Sequence, residues 1–74
     1  MTPLQLKLAR TALGLSIRDL AAAANVAPST IVRFEAGGAT QRRTVDDLKV
    51  IIEARGIILL DAADGGSATI RVRE

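Results

Sequence analysis

Apolar side chains recur at helical spacing along most of the chain. Leu6, Ala9 and Leu13 share one face of a first predicted helix. This helix is predicted to begin near Pro3 and to end at Gly14. Proline suits the first turn of a helix, and glycine readily adopts the left-handed conformation that follows the last turn.

Two short helices are predicted next, with a tight turn between them. Ser16 followed by Asp19 is a capping-box pattern, and it opens a second helix over residues 17–24 that ends in four successive alanines. Asn25 tolerates the left-handed conformation and can end this helix. Pro28 then opens a third helix, which the Gly-Gly pair ends.

A polar segment, ATQRR, leads to a fourth predicted helix. Thr44 with Asp47 repeats the capping-box pattern, so this helix is expected over residues 45–55, with Asp46 and Asp47 serving its start. After Gly56 the period changes. IILL is a short apolar run, AADGGSA contains turn dipeptides, and TIRVR alternates polar with apolar, so a C-terminal β-hairpin is predicted.

The predicted architecture is mainly α, with residues 1–56 as a helical domain and residues 57–74 as the hairpin. An isolated hairpin is marginally stable in water, so this one should pack on the helices, and its apolar surface and open edge invite a second copy of the chain. Leu4, Leu8 and Val50 are apolar residues outside the predicted core, and they are expected to contact the hairpin. The candidate dimerisation residues are Ile57, Ile58, Leu59, Leu60, Ile70 and Val72.

The composition excludes most enzymatic chemistry. The 74 residues allow one domain with a small core, and they include no cysteine and no histidine. A disulfide framework and the usual zinc, haem and catalytic-triad sites are therefore excluded, and we expect no enzymatic activity, metal or cofactor. The net charge of +2 does not by itself indicate a nucleic-acid partner. Because no membrane span or signal peptide is recognisable, we expect a soluble, cytoplasmic protein with no membrane partner.

One long segment carries a family resemblance. The stretch LARTALGLSIRDLAAAANVAPSTIVRFEAGG resembles the Cro and phage-repressor type of helix-turn-helix domain, also called the xenobiotic-response-element (XRE) family. The matching features are Arg10 late in the first helix, GLS before the second, LA inside it and STIVRFEAG across the third. The resemblance covers roughly residues 4–55 and implies a four-helix lambda-repressor-like fold, whose third helix enters the DNA major groove while the second crosses the backbone.

The free face of the third predicted helix suits DNA. Ile31 and Phe34 define its buried side, which leaves Ser29, Val32 and Arg33 on the face that the resemblance assigns to base reading. Arginine pairs bidentately with guanine, and an apolar methyl group contacts thymine. Two alternatives stay open: this face is merely solvated, or its serine contacts a phosphate rather than a base.

The resemblance also implies phosphate contacts. At the start of the second helix they would come from the backbone N–H groups of Ser16 and Ile17 and from Arg18. Further phosphate or minor-groove candidates are Pro28, Thr30, Gln41, Arg42 and Arg43. Thr30 is instead a candidate for helix packing, and the adjacent arginines for plain solvated charge. Ile17 departs from the family, where a polar side chain such as glutamine is common, and Ala27 stands where a serine or threonine usually caps the third helix.

The resemblance implies a structural role for Arg10 and Glu35. In this family an arginine late in the first helix pairs with the glutamate that ends the third. We therefore expect a partly buried salt bridge that holds the third helix in place.

These features predict a bacterial or phage transcription regulator, most simply a repressor that binds double-stranded DNA at an inverted repeat as a homodimer. Two alternatives stay open. One is the antitoxin of a toxin-antitoxin pair, with the hairpin holding the toxin; the other is an accessory DNA-binding factor of a mobile element, which would bend DNA or bind attachment sites. A protein partner such as a toxin or an antiactivator is therefore also considered.

Overall fold

The computed structural model describes residues 1–60 and 69–73. These residues form four helices followed by a short two-stranded hairpin, as the sequence predicts. The helices are α1, Pro3–Ala12; α2, Ile17–Ala24; α3, Pro28–Glu35; and α4, Arg42–Ala54. The strands are β1, Ile57–Leu60, and β2, Thr69–Val72. The predicted Asp-Gly and Gly-Gly turn signals lie outside the described residues.

The first two helices begin at reciprocal capping boxes. The hydroxyl of Thr2 accepts the N–H of Gln5, and the hydroxyl of Ser16 accepts the N–H of Asp19. In both boxes the partner side chain accepts the N–H of the cap residue in return. The third helix has no such start, because Ala27 makes no side-chain hydrogen bond at its N-cap.

The first three helices end in the same way. A left-handed residue follows the last turn, and two N–H groups bond back to carbonyls of that turn. In α2 the left-handed residue is Asn25, with φ 56°. In α3 it is Gly37, with φ 86°. There the N–H of Gly37 donates to the carbonyl of Phe34 at 3.0 Å, and the N–H of Gly38 donates to the carbonyl of Arg33 at 2.8 Å.

The fourth helix begins earlier than the sequence predicts. Its first residue is Arg42, and its N-cap, Gln41, makes no side-chain hydrogen bond. The predicted capping box of Thr44 and Asp47 was wrong, because both residues lie inside the helix, and Asp46 and Asp47 lie beyond its first turn. Arginine has a higher intrinsic helix propensity than threonine, so the chain is already helical when the threonine is reached.

One core joins the helices and the hairpin. Ala9 and Ala21 are buried in it, and their small side chains allow neighbouring helices to approach closely. The fully buried large apolar side chains are Leu6, Leu20, Ile31, Leu48, Ile52 and Ile57. The last of these belongs to β1, so the proposed division into residues 1–56 and residues 57–74 falls within a shared core.

The hairpin has an inner and an outer face. β1 and β2 are antiparallel, with Leu59 opposite Ile70. Because side chains alternate along a strand, Ile57 and Leu59 share the inner face with Ile70, and all three pack in or against the core. Ile58 and Leu60 lie on the outer face. Of the six predicted dimerisation residues, the inner three are thus used by their own chain. Val72 lies opposite Ile57 and shares the inner face, but it is 49% exposed. The half-buried Ile58 and Leu60 remain on the outer face for a partner.

Several apolar side chains stay exposed. The exposed fractions are 55% for Leu4, 38% for Leu8, 63% for Val50 and 49% for Val72. Within one chain, the hairpin does not cover the first three. Each strand has only four residues, and its inner face is taken up by the core.

A buried amide ties the hairpin to α1. The side chain of Gln5 is 1% exposed. Its Oε1 accepts the N–H of Thr2 at 2.8 Å, and its Nε2 donates to the carbonyl of Leu60 at 3.0 Å. The same side chain therefore provides a hydrogen-bond partner for a backbone N–H at the start of α1 and for a backbone carbonyl at the end of β1.

Among the described residues, no helix has the length and apolar character needed to cross a membrane. The same residues contain no group of three or more side chains suited to hold a metal ion.

We expect Gln5→Ala to lower the free energy of unfolding by about 1–3 kcal/mol, because it leaves polar groups at both ends of this link without their partner. Thermal and urea unfolding followed by circular dichroism measure the change. Gln41→Ala is the matched control, because this exposed residue caps nothing, and a change within about 0.5 kcal/mol is expected. Equal losses in the two variants would contradict the role of the buried amide.

Candidate nucleic-acid interface

The outer face of α3 carries a hydroxyl, a valine and an arginine. Ile31 is 0% and Phe34 is 7% exposed, and their burial turns Ser29, Val32 and Arg33 outward. Val32 is 51% exposed. This face therefore offers hydrogen-bond donors and methyl groups side by side.

A cleft of about 480 Å³ lies between α3 and the start of α4. Its lining residues are Thr30, Arg33, Ala39, Thr40, Gln41 and Thr44. These supply three hydroxyl groups, one side-chain amide and one guanidinium, with no carboxylate among them, so the cleft combines hydrogen-bonding groups with one positive charge. Thr40 and Thr44 were missed as site residues, because the sequence predicts one in a loop and the other as a helix cap.

The guanidinium of Arg33 has no hydrogen-bond or ion-pair partner among the described residues. The residue lies in the last turn of α3, where a positive charge suits the negative end of the helix. That effect contributes only about 0.3–1 kcal/mol at an exposed site. This interaction with the helix end does not use the N–H groups of the guanidinium, which can therefore donate to an external acceptor.

The start of α4 concentrates positive charge. Arg42 and Arg43 lie in its first turn, not in a loop as the sequence predicts. No acidic residue lies in this turn, and the N-cap supplies no side-chain acceptor. Two cations thus adjoin free N–H groups at the positive end of a helix, which is unfavourable unless an anion binds. The carboxylate of Asp46 is 3.9 Å from Arg42, but these side chains are 62% and 94% exposed, so the pair contributes little.

The start of α2 is partly occupied by its own capping box. The N–H of Ser16 donates to the carboxylate of Asp19 at 3.0 Å, so it is not free for the phosphate contact that the sequence predicts. The N–H groups of Ile17 and Arg18 are the next unpaired donors of this helix. Hydrogen bonds from the backbone and the hydroxyl of Ser16 lower the pKa of Asp19. Its carboxylate is therefore ionised at neutral pH.

An ion pair joins α1 to the end of α3. Nε and Nη2 of Arg10 donate to the two carboxylate oxygens of Glu35 at 2.8 and 3.1 Å, and Nη1 donates to the carbonyl of Leu15 at 3.2 Å. The two side chains are only 16% and 10% exposed. The hydrogen bond to Glu35 raises the pKa of Arg10, despite an opposing effect of desolvation. The contribution of the Arg10 charge is therefore complete at neutral pH and would be lost as the pH rises through this raised pKa.

The family model of the helix-turn-helix domain matches residues 6–57, which is more than half of the chain. The chain belongs to the XRE/Cro-type helix-turn-helix family of DNA-binding transcription regulators. No curated protein sequence matches the chain significantly. In this helix-turn-helix domain α2 and α3 form the motif, and α3 occupies the position of the recognition helix. The cleft beside Arg33 thus adjoins the recognition helix.

We expect Glu35→Ala to destabilise the helix-turn-helix domain by about 2–4 kcal/mol, because it leaves the mostly buried guanidinium of Arg10 without its carboxylate. Thermal unfolding at neutral pH measures this change. Asp46→Ala, which removes the carboxylate of the exposed pair, should shift the free energy of unfolding by less than about 0.5 kcal/mol. An unchanged melting temperature for Glu35→Ala would refute the role of the ion pair.

Proposed function

We propose that the protein is a sequence-specific repressor that binds an inverted-repeat operator as a homodimer. The observation that carries this proposal is the exposed arginine of the recognition helix, Arg33, whose donors have no partner among the described residues. Occupying a promoter is enough to block transcription, so repression needs no activity beyond DNA binding. A DNA target also implies a cytoplasmic protein.

Base reading is assigned to the outer face of α3. An arginine in the major groove donates two hydrogen bonds to O6 and N7 of guanine, and we assign this contact to Arg33. Val32 lies beside it and offers methyl groups to a thymine methyl. Ser29, one turn earlier, is assigned to a neighbouring base edge.

Phosphate binding is assigned to the two helix starts that follow and precede the recognition helix. Arg42 and Arg43 combine two guanidinium groups with the free N–H groups of α4, which is a favourable arrangement for a phosphate. Gln41 and Thr30, which line the adjoining cleft, supply further donors. At the start of α2, phosphate contacts are assigned to the N–H of Ile17 and to the side chain of Arg18. Pro28, at the start of α3, is assigned contact with the DNA backbone without a hydrogen bond.

The homodimer is assigned to the hairpin. Ile58 and Leu60 lie on its outer face, and both sheet edges lack a neighbouring strand among the described residues. Val72 lies opposite Ile57 on the inner face, so its exposed side chain at the end of β2 is assigned to the border of this patch. A two-fold dimer would present two recognition helices to half-sites about one DNA turn apart, and this symmetry is the reason for an inverted repeat.

Selection of bound duplexes from a random pool tests the base-reading role. We expect the wild type to select a symmetric sequence and Arg33→Ala to lose its preference at one symmetric base pair, at a cost of about 1–3 kcal/mol. Arg43→Ala is the matched control at a phosphate position. It should weaken binding to all sequences alike and lower the salt dependence by about one counterion. Uniform weakening by Arg33→Ala would demote this residue to a phosphate contact.

Sedimentation velocity at tens of micromolar tests the dimer, and Ile58→Glu is the informative variant. The new carboxylate would lie opposite Arg71 in its own hairpin, so the monomer should tolerate it, whereas a dimer interface should not. We expect a dimer for the wild type and a monomer for the variant. Val50→Glu, on the exposed side of α4, should remain dimeric. A monomeric wild type at this concentration would rule out the proposed assembly.

A further inference from the structure

The glycine at position 38 is not required by the backbone. Gly37 has φ 86°, in the left-handed region, whereas Gly38 does not have a positive φ. An alanine is therefore compatible with the backbone conformation at position 38 and strained at position 37. The reason for a glycine at position 38 must lie in what surrounds it.

The surroundings of Gly38 are the stem of Arg33. A Cβ atom at position 38 would lie 2.7 Å from Cγ and 3.6 Å from Cδ of Arg33, and 3.0 Å from its carbonyl oxygen. The first distance is far below van der Waals contact, and Cγ lies near the root of the side chain, so the stem would have to leave its present course. At Gly37, by contrast, an added Cβ would meet no atom within 4 Å.

We propose that Gly38 is a positioning residue for DNA reading, which acts by directing the side chain of Arg33. This inference rests on the proposed base contact of Arg33. The N–H of Gly38 donates to the carbonyl of Arg33 at 2.8 Å, so the backbone of the loop is held against the same residue whose stem crosses it. The stem then runs beside the cleft that Thr40 and Thr44 line.

Gly38 leaves room for the long side chain of Arg33 to lie against the loop backbone before DNA is bound, a course that a Cβ at position 38 would block. A free arginine loses much conformational entropy when it is fixed against a base, and a side chain that already lies in one course loses less. Gly38 would therefore raise both the affinity for the preferred base pair and the discrimination against others. A residue with a Cβ at position 38 would not remove the guanidinium of Arg33, but it would change the direction in which this group points.

The test compares Gly38→Ala with Gly37→Ala, two neighbouring substitutions with opposite expected signatures. Binding is measured to the duplex that the wild type selects and to its symmetric single base-pair variants. Gly38→Ala should reduce discrimination roughly tenfold at the base pair that Arg33→Ala affects, and at no other. Gly37→Ala should lower the melting temperature by roughly 5–15 °C but leave discrimination unchanged.

The outcomes separate the inference from the function on which it rests. Wild-type discrimination in Gly38→Ala, beside a loss in Arg33→Ala, would overturn only the role of Gly38. Retained discrimination in Arg33→Ala would overturn the base contact itself and the inference with it.

The Arg33→Ala/Gly38→Ala double variant checks that the effect passes through the arginine stem. It should discriminate no worse than Arg33→Ala alone, and a further loss would overturn the inference. If Gly38→Ala alone unfolds, the double variant should regain its helical circular dichroism, because the 2.7 Å contact of the new methyl group with the stem is gone and only the milder 3.0 Å contact with the backbone carbonyl oxygen remains. A double variant that stays unfolded would count against the proposal.

Discussion

A helix of eight residues is not stable by itself in water, and the recognition helix has this length. It also lacks the side-chain cap that opens α1 and α2. Its geometry therefore depends on contacts with the rest of the chain. Burial of Ile31 and Phe34 fixes one side, and the pair of Arg10 with Glu35 fixes the last turn against α1. The outer face of α3 is held rigidly only because these inner contacts are in place.

The start of α4, next to this helix, departs from the charge and capping preferences that α2 follows. α2 begins with a carboxylate in its first turn, as the helix dipole favours, whereas α4 begins with two arginines and no side-chain cap. Such departures are expected where a ligand supplies the missing partner. At the start of α4, beside the cleft that Arg33 lines, two exposed arginines with only one weak carboxylate contact adjoin the N–H groups of the helix, and an anion suits this arrangement.

The hairpin enlarges the small hydrophobic core of this chain. A chain of 74 residues buries a small core, and Ile57 extends this core beyond the helices while Gln5 fastens the end of β1 to the start of α1. The price is an outer face with Ile58 and Leu60 and an open sheet edge. Stabilisation of the monomer and the opportunity for association thus arise from the same two strands.

The sequence by itself determined the order and type of the elements, the capping box of α2, and the buried side of α3, because these follow from periodicity and from local hydrogen bonds. It also pointed to the family, through a motif that runs from Arg10 to the Gly-Gly pair. It failed at the start of α4, where the helix begins before the Thr44–Asp47 pair because arginine already favours the helical conformation. Only the tertiary structure decided that the stem of Arg33 lies across Gly38, that Thr44 joins the same cleft, and that Leu4 and Leu8 stay exposed. These features depend on how separate elements pack, and packing distances are not encoded in any local pattern.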